Sequence, residues 1–332
     1  MTPRTRAGER GAALLTAMVI VTLVATLAAA MVWQQWRAVQ VEAAERARSQ
    51  SHWILVGAVD WARLILREDA ATGGADHLGE PWAVPLAEAK LSTFLAVDRE
   101  NTDDAPEAFL SGSIVDAQAR YNLRNLAESG PQAEVEQRIL QRLLDAVGVR
   151  PDLGPLLAQA VRDAAPQAPT APASAASGSS QEDPVAVVRA ANPPLMPERI
   201  SQLGWLGVDA ASLARLAPYV VLLPARTPVN VNTASKEVLA AVLGVDLASA
   251  ERLVQARQRG HFSSLDEARA LLPEGSALDE RHAAVASSYF EVRGRLRLED
   301  RVIEQRALVE RRGRQIVTLH RERVAAVESD GS

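Results

Sequence analysis

The residue types that could do chemistry are few and scattered. The chain has 5 His and no Cys. Zero Cys removes thiolate zinc sites, disulfide frameworks and cysteine nucleophiles together. His52, His77, His261, His282 and His320 include no pair at i,i+4, the spacing that sets two imidazoles on one helix face for zinc. Asp76-His77 with Glu80 can be drawn as a metal or acid–base cluster. Beside Trp82, between Gly79 and Pro81, the simpler reading is turn and capping residues. Asp116 and Arg120 fall in a predicted turn-helix and can pair structurally, with no chemistry assigned. No phosphate loop and no nucleophile elbow occurs. The pattern points away from an enzyme.

The elements that would position these residues must therefore carry the argument. The chain has 332 residues, enough for a sizeable core, with 48% hydrophobic and 23% charged residues, which is ordinary for a folded protein. Lys+Arg number 36 and Asp+Glu 41, a net charge of -5, which argues against a surface built to neutralise phosphates.

The N-terminus is the most informative stretch. Residues 1–11 read MTPRTRAGERG, with Arg4, Arg6 and Arg10 against Glu9 alone, and no charged side chain follows between Ala12 and Trp36. As a helix, residues 12–33 span about 33 Å, enough for a hydrocarbon core of ~30 Å. Trp33 and Trp36 sit where that run meets water, and the leading arginines predict a cytoplasmic start with the remainder exported. A cleaved signal peptide (Ala28-Ala29-Ala30 offering the small residues) and a plain anchor are two readings. The third starts from Gly11, which closes the basic leader just before the apolar helix. This resembles the leader of type IV prepilins and pseudopilins. The resemblance implies cleavage between Gly11 and Ala12 by prepilin peptidase, with methylation of the new Ala12 amine.

Helical spacing continues past the span through Ile54, Leu55, Ala58, Val59, Ala62, Ile65 and Leu66, with no Pro from Arg37 to Asp69. One helix from about Ala12 to about Arg67 would be roughly 80 Å long, apolar all round at first and amphipathic later. Further on, a short helix is predicted around Leu86–Val97, and a strand and turn leading to a helix within Ser111–Leu126. Helices are predicted over about 132–147, closed by Gly148, and 152–164. Residues 165–183 are Ala/Pro/Ser-rich and read as a flexible loop. Pro193-Pro194 and Pro197 lead into a helical stretch. Asn232-Thr233 is expected to cap a helix running from near Ala234 to Leu243, ended by Gly244; Ala248–Arg259 and a helix opened by Asp266-Glu267 follow. Residues 287–324 switch to strand-like alternation with a turn at Arg312-Gly313, a three-stranded antiparallel meander. Strand signals on both sides of a helical block indicate one α+β domain with a helical insertion.

Four stretches in this order, RGAALLTAMVIVTLVATLA at 10–28, DHLGEPWA at 76–83, GSIVDAQARYNLRNL at 112–126 and NVNTASKEVLAAVLG at 230–244, resemble the protein K family of type II secretion minor pseudopilins. The resemblance implies an α+β, pilin-like fold: a long N-terminal transmembrane and spine helix packed on a small antiparallel sheet, with a large all-α insertion containing a helix-hairpin-helix-like unit. The implied organisation is a leader at 1–11, a transmembrane part at 12–33, and a discontinuous pilin-like domain at 34–126 and 286–325. The helical insertion is 127–285 and the tail 326–332. It also implies an inner-membrane, single-pass protein with a periplasmic bulk, joining minor pseudopilins I and J at the tip of a pseudopilus that helps export folded proteins. Most pseudopilins carry Glu as fifth mature residue; here that residue is Thr16, and protein K is similar in lacking the Glu. A buried charge needs a partner, and a tip subunit has no subunit above it. A calcium site in the insertion is implied too, with Asp163, Glu182 and Asp183 as candidate ligands. Calcium takes about six to eight oxygens, so three acids on an Ala/Pro/Ser loop are an incomplete set, and three solvated acids are the alternative.

The rival reading is a membrane-anchored DNA-binding protein. Residues 229–272 resemble a helix-hairpin-helix unit, which holds phosphate on backbone N–H groups at a Gly-containing hairpin. The hairpin reads Leu243-Gly244-Val245-Asp246 and places a carboxylate where phosphate would lie. Lys236, Arg252, Arg257, Arg259 and Arg269 are balanced by Glu237, Asp246, Glu251, Asp266 and Glu267, whereas a DNA-binding module is basic. No nucleic acid is expected as a partner.

Overall fold

The computed structural model describes residues 9–91, 108–165, 195–298 and 301–325. The chain divides into two units, residues 1–57 and 58–332. Helix α1 runs Glu9–Thr72 without interruption. It begins three residues before the predicted start, so Gly11 and Ala12 both lie in its first turns. In the first unit the apolar side chains from Leu14 to Val32 are exposed, and residues 12–72 form a helix long and apolar enough to cross a membrane. The hydroxyls of Thr16, Thr22 and Thr26 donate to the carbonyls of Ala12, Met18 and Leu23 at 2.8, 3.0 and 2.9 Å. Such back-bonding satisfies these three hydroxyls within the helix itself, as an apolar surround requires.

In the second unit, α1 buries Val59, Ala62 and Leu66, one face at i, i+3, i+7. They pack in one cluster with Trp82, Ile114, Phe290, Val292, Ala307, Val309 and Ile316 from an antiparallel sheet and its flanking loop. The sheet has five strands, β1 (Leu86–Lys90), β2 (Ala108–Asp116), β7 (Tyr289–Leu298), β8 (Arg301–Arg312) and β9 (Gln315–Ala325), in the order β1-β2-β7-β8-β9. The last three strands are the predicted meander, with Gly313 at φ 59° in its second turn. Leu86–Lys90 is a strand and not the predicted helix; the rest of that prediction, beyond residue 91, lies outside the described residues. Local propensity favoured the helix, but pairing of Leu86 with Gly112 and Lys90 with Phe109 satisfies this backbone in the sheet.

Between Asp116 and Tyr289 the chain builds a block of helices: α2 (Pro131–Ala146), α3 (Leu153–Ala164), α4 (Ala210–Leu216), α5 (Lys236–Leu243), α6 (Leu247–Arg259) and α7 (Leu265–Arg269). Leu140, Leu143, Leu144, Leu153, Leu157, Leu239, Leu243 and Leu253 share its core, each contributing roughly 1.5–3 kcal/mol by burial. Two short parallel pairs stitch the block: β3 (Tyr121–Asn122) with β4 (Val220–Val221), and β5 (Val229–Asn230) with β6 (Ala283–Ala284). The α5 cap differs from expectation. Ser235 caps α5 through Val238 N–H, because Asn232 and Thr233 are engaged elsewhere.

Candidate functional site

The polar residues singled out at first sight meet where the helical block joins the sheet. Asp116 ends β2 and is 2% exposed. Its Oδ1 accepts from Gln118 N at 2.7 Å. Its Oδ2 accepts from Asn230 Nδ2 at 3.0 Å, Thr233 Oγ1 at 2.6 Å and Ser287 Oγ at 2.6 Å. Asp76 is equally buried. Its carbonyl accepts from Asn230 Nδ2 at 3.1 Å, and its Oδ2 accepts from Ser287 N at 2.6 Å and from Arg311 Nη2. Arg311 also donates to Asp69 Oδ2 at 2.8 Å and to the Ser287 carbonyl at 2.5 Å, and its guanidinium lies 5.0 Å from the Phe290 ring. Gln118 closes the other side, donating to Pro228 O at 3.0 Å and accepting from Ser288 N at 2.6 Å.

Burial sets the electrostatics of this junction. It raises Asp116 and Asp76 above the ordinary carboxylate range, against the pull of their donors. Asp69 is raised to about 6, first by burial and then by the Glu80 carboxylate, with Arg311 opposing. Glu80 turns back into its own loop, accepting from His77 N at 2.9 Å and Trp82 Nε1 at 2.7 Å. The turn-and-cap reading of Asp76-His77-Glu80 is thus the structural one, although Asp76 serves the distant Ser287 and Arg311. Asp116 and Arg120 do not pair. Arg120 reaches Glu291 Oε2 at 2.8 Å instead. Burial raises Glu291, but Arg120 and Arg293 outweigh it and hold the carboxyl below its usual range.

Asp69, Asp76 and Glu80 bring carboxylate oxygens within 4.8 Å of one another. The Arg311 guanidinium already stands against two of the three. The set is matched to an arginine and does not fit a resident metal. Among the described residues of this junction no nucleophile is aligned with a base; its hydrogen bonds tie five segments of chain together.

Two sequence models of one family, both described as type II secretion system protein K, match residues 119–225 and 229–293. Type II secretion system protein K of Pseudomonas aeruginosa is 32% identical over 306 residues, covering 89% of this chain and 87% of that protein. This chain belongs to the type II secretion system protein K family. The namesakes from Pectobacterium carotovorum and Klebsiella pneumoniae are 27% and 29% identical, over 96% and 92% of this chain and 97% and 94% of their own lengths. A chain in the crystal structure of the GspK-GspI-GspJ complex from enterotoxigenic Escherichia coli has the same fold, with a TM-score of 0.62 at 20% identity. The match covers 85% of this chain and 99% of that one. As a protein K family member, the chain is a minor pseudopilin.

Three of the four stretches that carry the protein K resemblance converge on the junction: Asp76 from 76–83, Asp116 from 112–126, and Asn230 with Thr233 from 230–244. In the second of them Asn122 and Asn125 hold residues 225–227, through Ala225 O at 2.7 Å and Thr227 O at 3.0 Å. Ser287 and Arg311 gave no sequence signal, because neither stands in a motif and their partners lie far away in sequence.

The helix-hairpin-helix region is committed to the protein's own packing. Gly244 takes φ 67°, and a Cβ there would meet Arg142 Nη1 at 2.8 Å. Leu243 O accepts from Ala277 N at 3.0 Å, and Asp246 caps α6 through Ser249 N at 2.9 Å. The Ser249 donors hold Asp246 below the usual carboxylate range, so an anion at this hairpin would face a fixed negative charge. Of the candidate calcium ligands, Asp163 lies on α3 and accepts from Gln159 Nε2 at 2.6 Å. Glu182 and Asp183 lie outside the described residues.

Proposed function

We propose that this minor pseudopilin is cut between Gly11 and Ala12 by prepilin peptidase, stays in the inner membrane through residues 12–33, and projects the remainder into the periplasm. There it joins minor pseudopilins I and J at the tip of the pseudopilus, initiating the fibre and helping folded proteins cross the outer membrane. The work is mechanical, with no catalytic step. In this reading residues 34–126 and 286–325 are the pilin-like domain, and 127–285 the insertion.

The observation that carries the proposal is a helix with two solvents. The exposed apolar surface from Leu14 to Val32 suits lipid, while Val59, Ala62 and Leu66 are buried against a sheet. The family relatives and the fold shared with a GspK-GspI-GspJ complex support the choice of partners. Thr16 supports the tip position, since its hydroxyl is satisfied within its own helix and demands no neighbouring subunit. N-terminal sequencing of the membrane-extracted protein is expected to begin at Ala12, with a methylated amine by mass spectrometry. A start at Met1, or after Ala30, would overturn the processing step.

A further inference from the structure

We propose that the C-terminal end of α1 is fastened to the sheet by a proton-sensitive latch, in which Asp69 takes up a proton in the cluster it forms with Asp76, Glu80 and Arg311. The junction holds four carboxyls, Asp69, Asp76, Glu80 and Asp116, and among the described residues Arg311 is the one cation paired with any of them, reaching Asp69 and Asp76. Its two terminal nitrogens are used on Asp69, Asp76 and the Ser287 carbonyl. Glu80 receives two neutral donors, the His77 amide and the Trp82 indole, and no cation. Neighbouring carboxylates that outnumber the cation beside them are relieved when one of them takes a proton. Asp69 is the member that takes it, being the carboxyl raised to about 6 with Glu80 among the causes.

The groups of the latch come from three elements: Asp69 from α1, Asp76 and Glu80 from the loop after it, and Arg311 from the end of β8. The His77 ring, which follows Asp76, is turned away and stacks on His261 at 3.8 Å. The latch therefore joins α1, the Trp82 loop and the sheet at one point. Trp82 makes it matter to packing, because its indole both donates to Glu80 and sits edge-on to Phe290 at 5.2 Å in the core beneath α1.

The direction follows from linkage. An acid raised in the closed state binds its proton more tightly there than in the open state, so closure is favoured as pH falls. That stabilisation is complete below the open-state value of 3.8 and is lost as pH climbs towards 6. Above pH 6 the latch is loose and insensitive. The periplasmic end of the spine helix would thus be held more tightly in acid surroundings.

The test is amide hydrogen exchange on the full chain in detergent micelles, corrected for the intrinsic pH dependence of exchange. The reporters are Asp76 N–H, bonded to Val285 O, and His77 N–H, bonded to Glu80. Their opening is expected to increase about twentyfold from pH 4.5 to pH 7, levelling above pH 6. Asp69→Asn, which mimics the protonated form, should flatten the profile at the protected level. Glu80→Gln, which can donate to an ionised Asp69, should flatten it as well, and decides the matter if the first variant does not fold. A flat wild-type profile, or a wild-type slope retained in the folded variants, would overturn the latch.

Discussion

Asp116 concentrates the energetics of the junction in one side chain. It accepts four hydrogen bonds from Gln118, Asn230, Thr233 and Ser287, and every donor except the Gln118 amide belongs to a residue more than a hundred positions away. Removing the acceptor leaves buried donors without partners, which is more harmful than never having made the bonds. Asp116→Ala is expected to destabilise the protein by about 3–5 kcal/mol, read as a fall in the thermal unfolding midpoint in detergent. Asp116→Asn, which keeps the volume and one acceptor oxygen, should lose about half as much; equal losses would mean that both oxygens must accept and that one alone holds nothing. The sequence offered Asp116 only as a partner for Arg120, because a spacing of four residues is visible locally and a bond to Ser287 is not.

Among the elements, the sheet depends on a close approach that a side chain would block. Gly112 on β2 stands opposite Gly294 on β7, and a Cβ at 112 would lie 2.8 Å from the Arg293 carbonyl. That contact is to backbone and cannot be relieved by a rotamer change. Gly112→Ala is therefore expected to cost about 2 kcal/mol. Amide exchange should increase selectively in β1 and β2, while α2 and α5, packed in a separate core, keep their protection. Uniform loss of protection would argue that the two cores unfold as one. The meander strands were legible because period-two alternation is strong in Tyr289–Leu298, where Phe290, Val292, Leu296 and Leu298 are buried. β1 was not, because Leu86–Lys90 is a short edge strand whose pairing partner lies beyond an intervening segment.

At the scale of the whole molecule, the inference is that an assembly subunit has been built from a membrane helix, a sheet and a helical block. The block carries its own core, and its entry and exit both pass through the Asp116 junction. The chain without residues 1–36 is expected to be soluble and to co-elute with the soluble parts of minor pseudopilins I and J in size-exclusion chromatography. Elution alone, at concentrations where I and J meet each other, would count against a tip role. The sequence alone determined the apolar span, the amphipathic continuation through Val59, Ala62 and Leu66, and the helical block flanked by strands. Those features are periodicities and compositions, set by which solvent each residue meets, and they survive without any knowledge of contacts. Only the tertiary structure decided that Asp76, Asp116, Asn230, Ser287 and Arg311 form one buried knot, and that the Arg311 which pairs with Asp69 and Asp76 leaves neighbouring Glu80 to neutral donors. Hydrogen bonds between residues 24 to 235 positions apart have no local signature; they are fixed by which polar groups the cores bury together, and burial is a property of the packed chain.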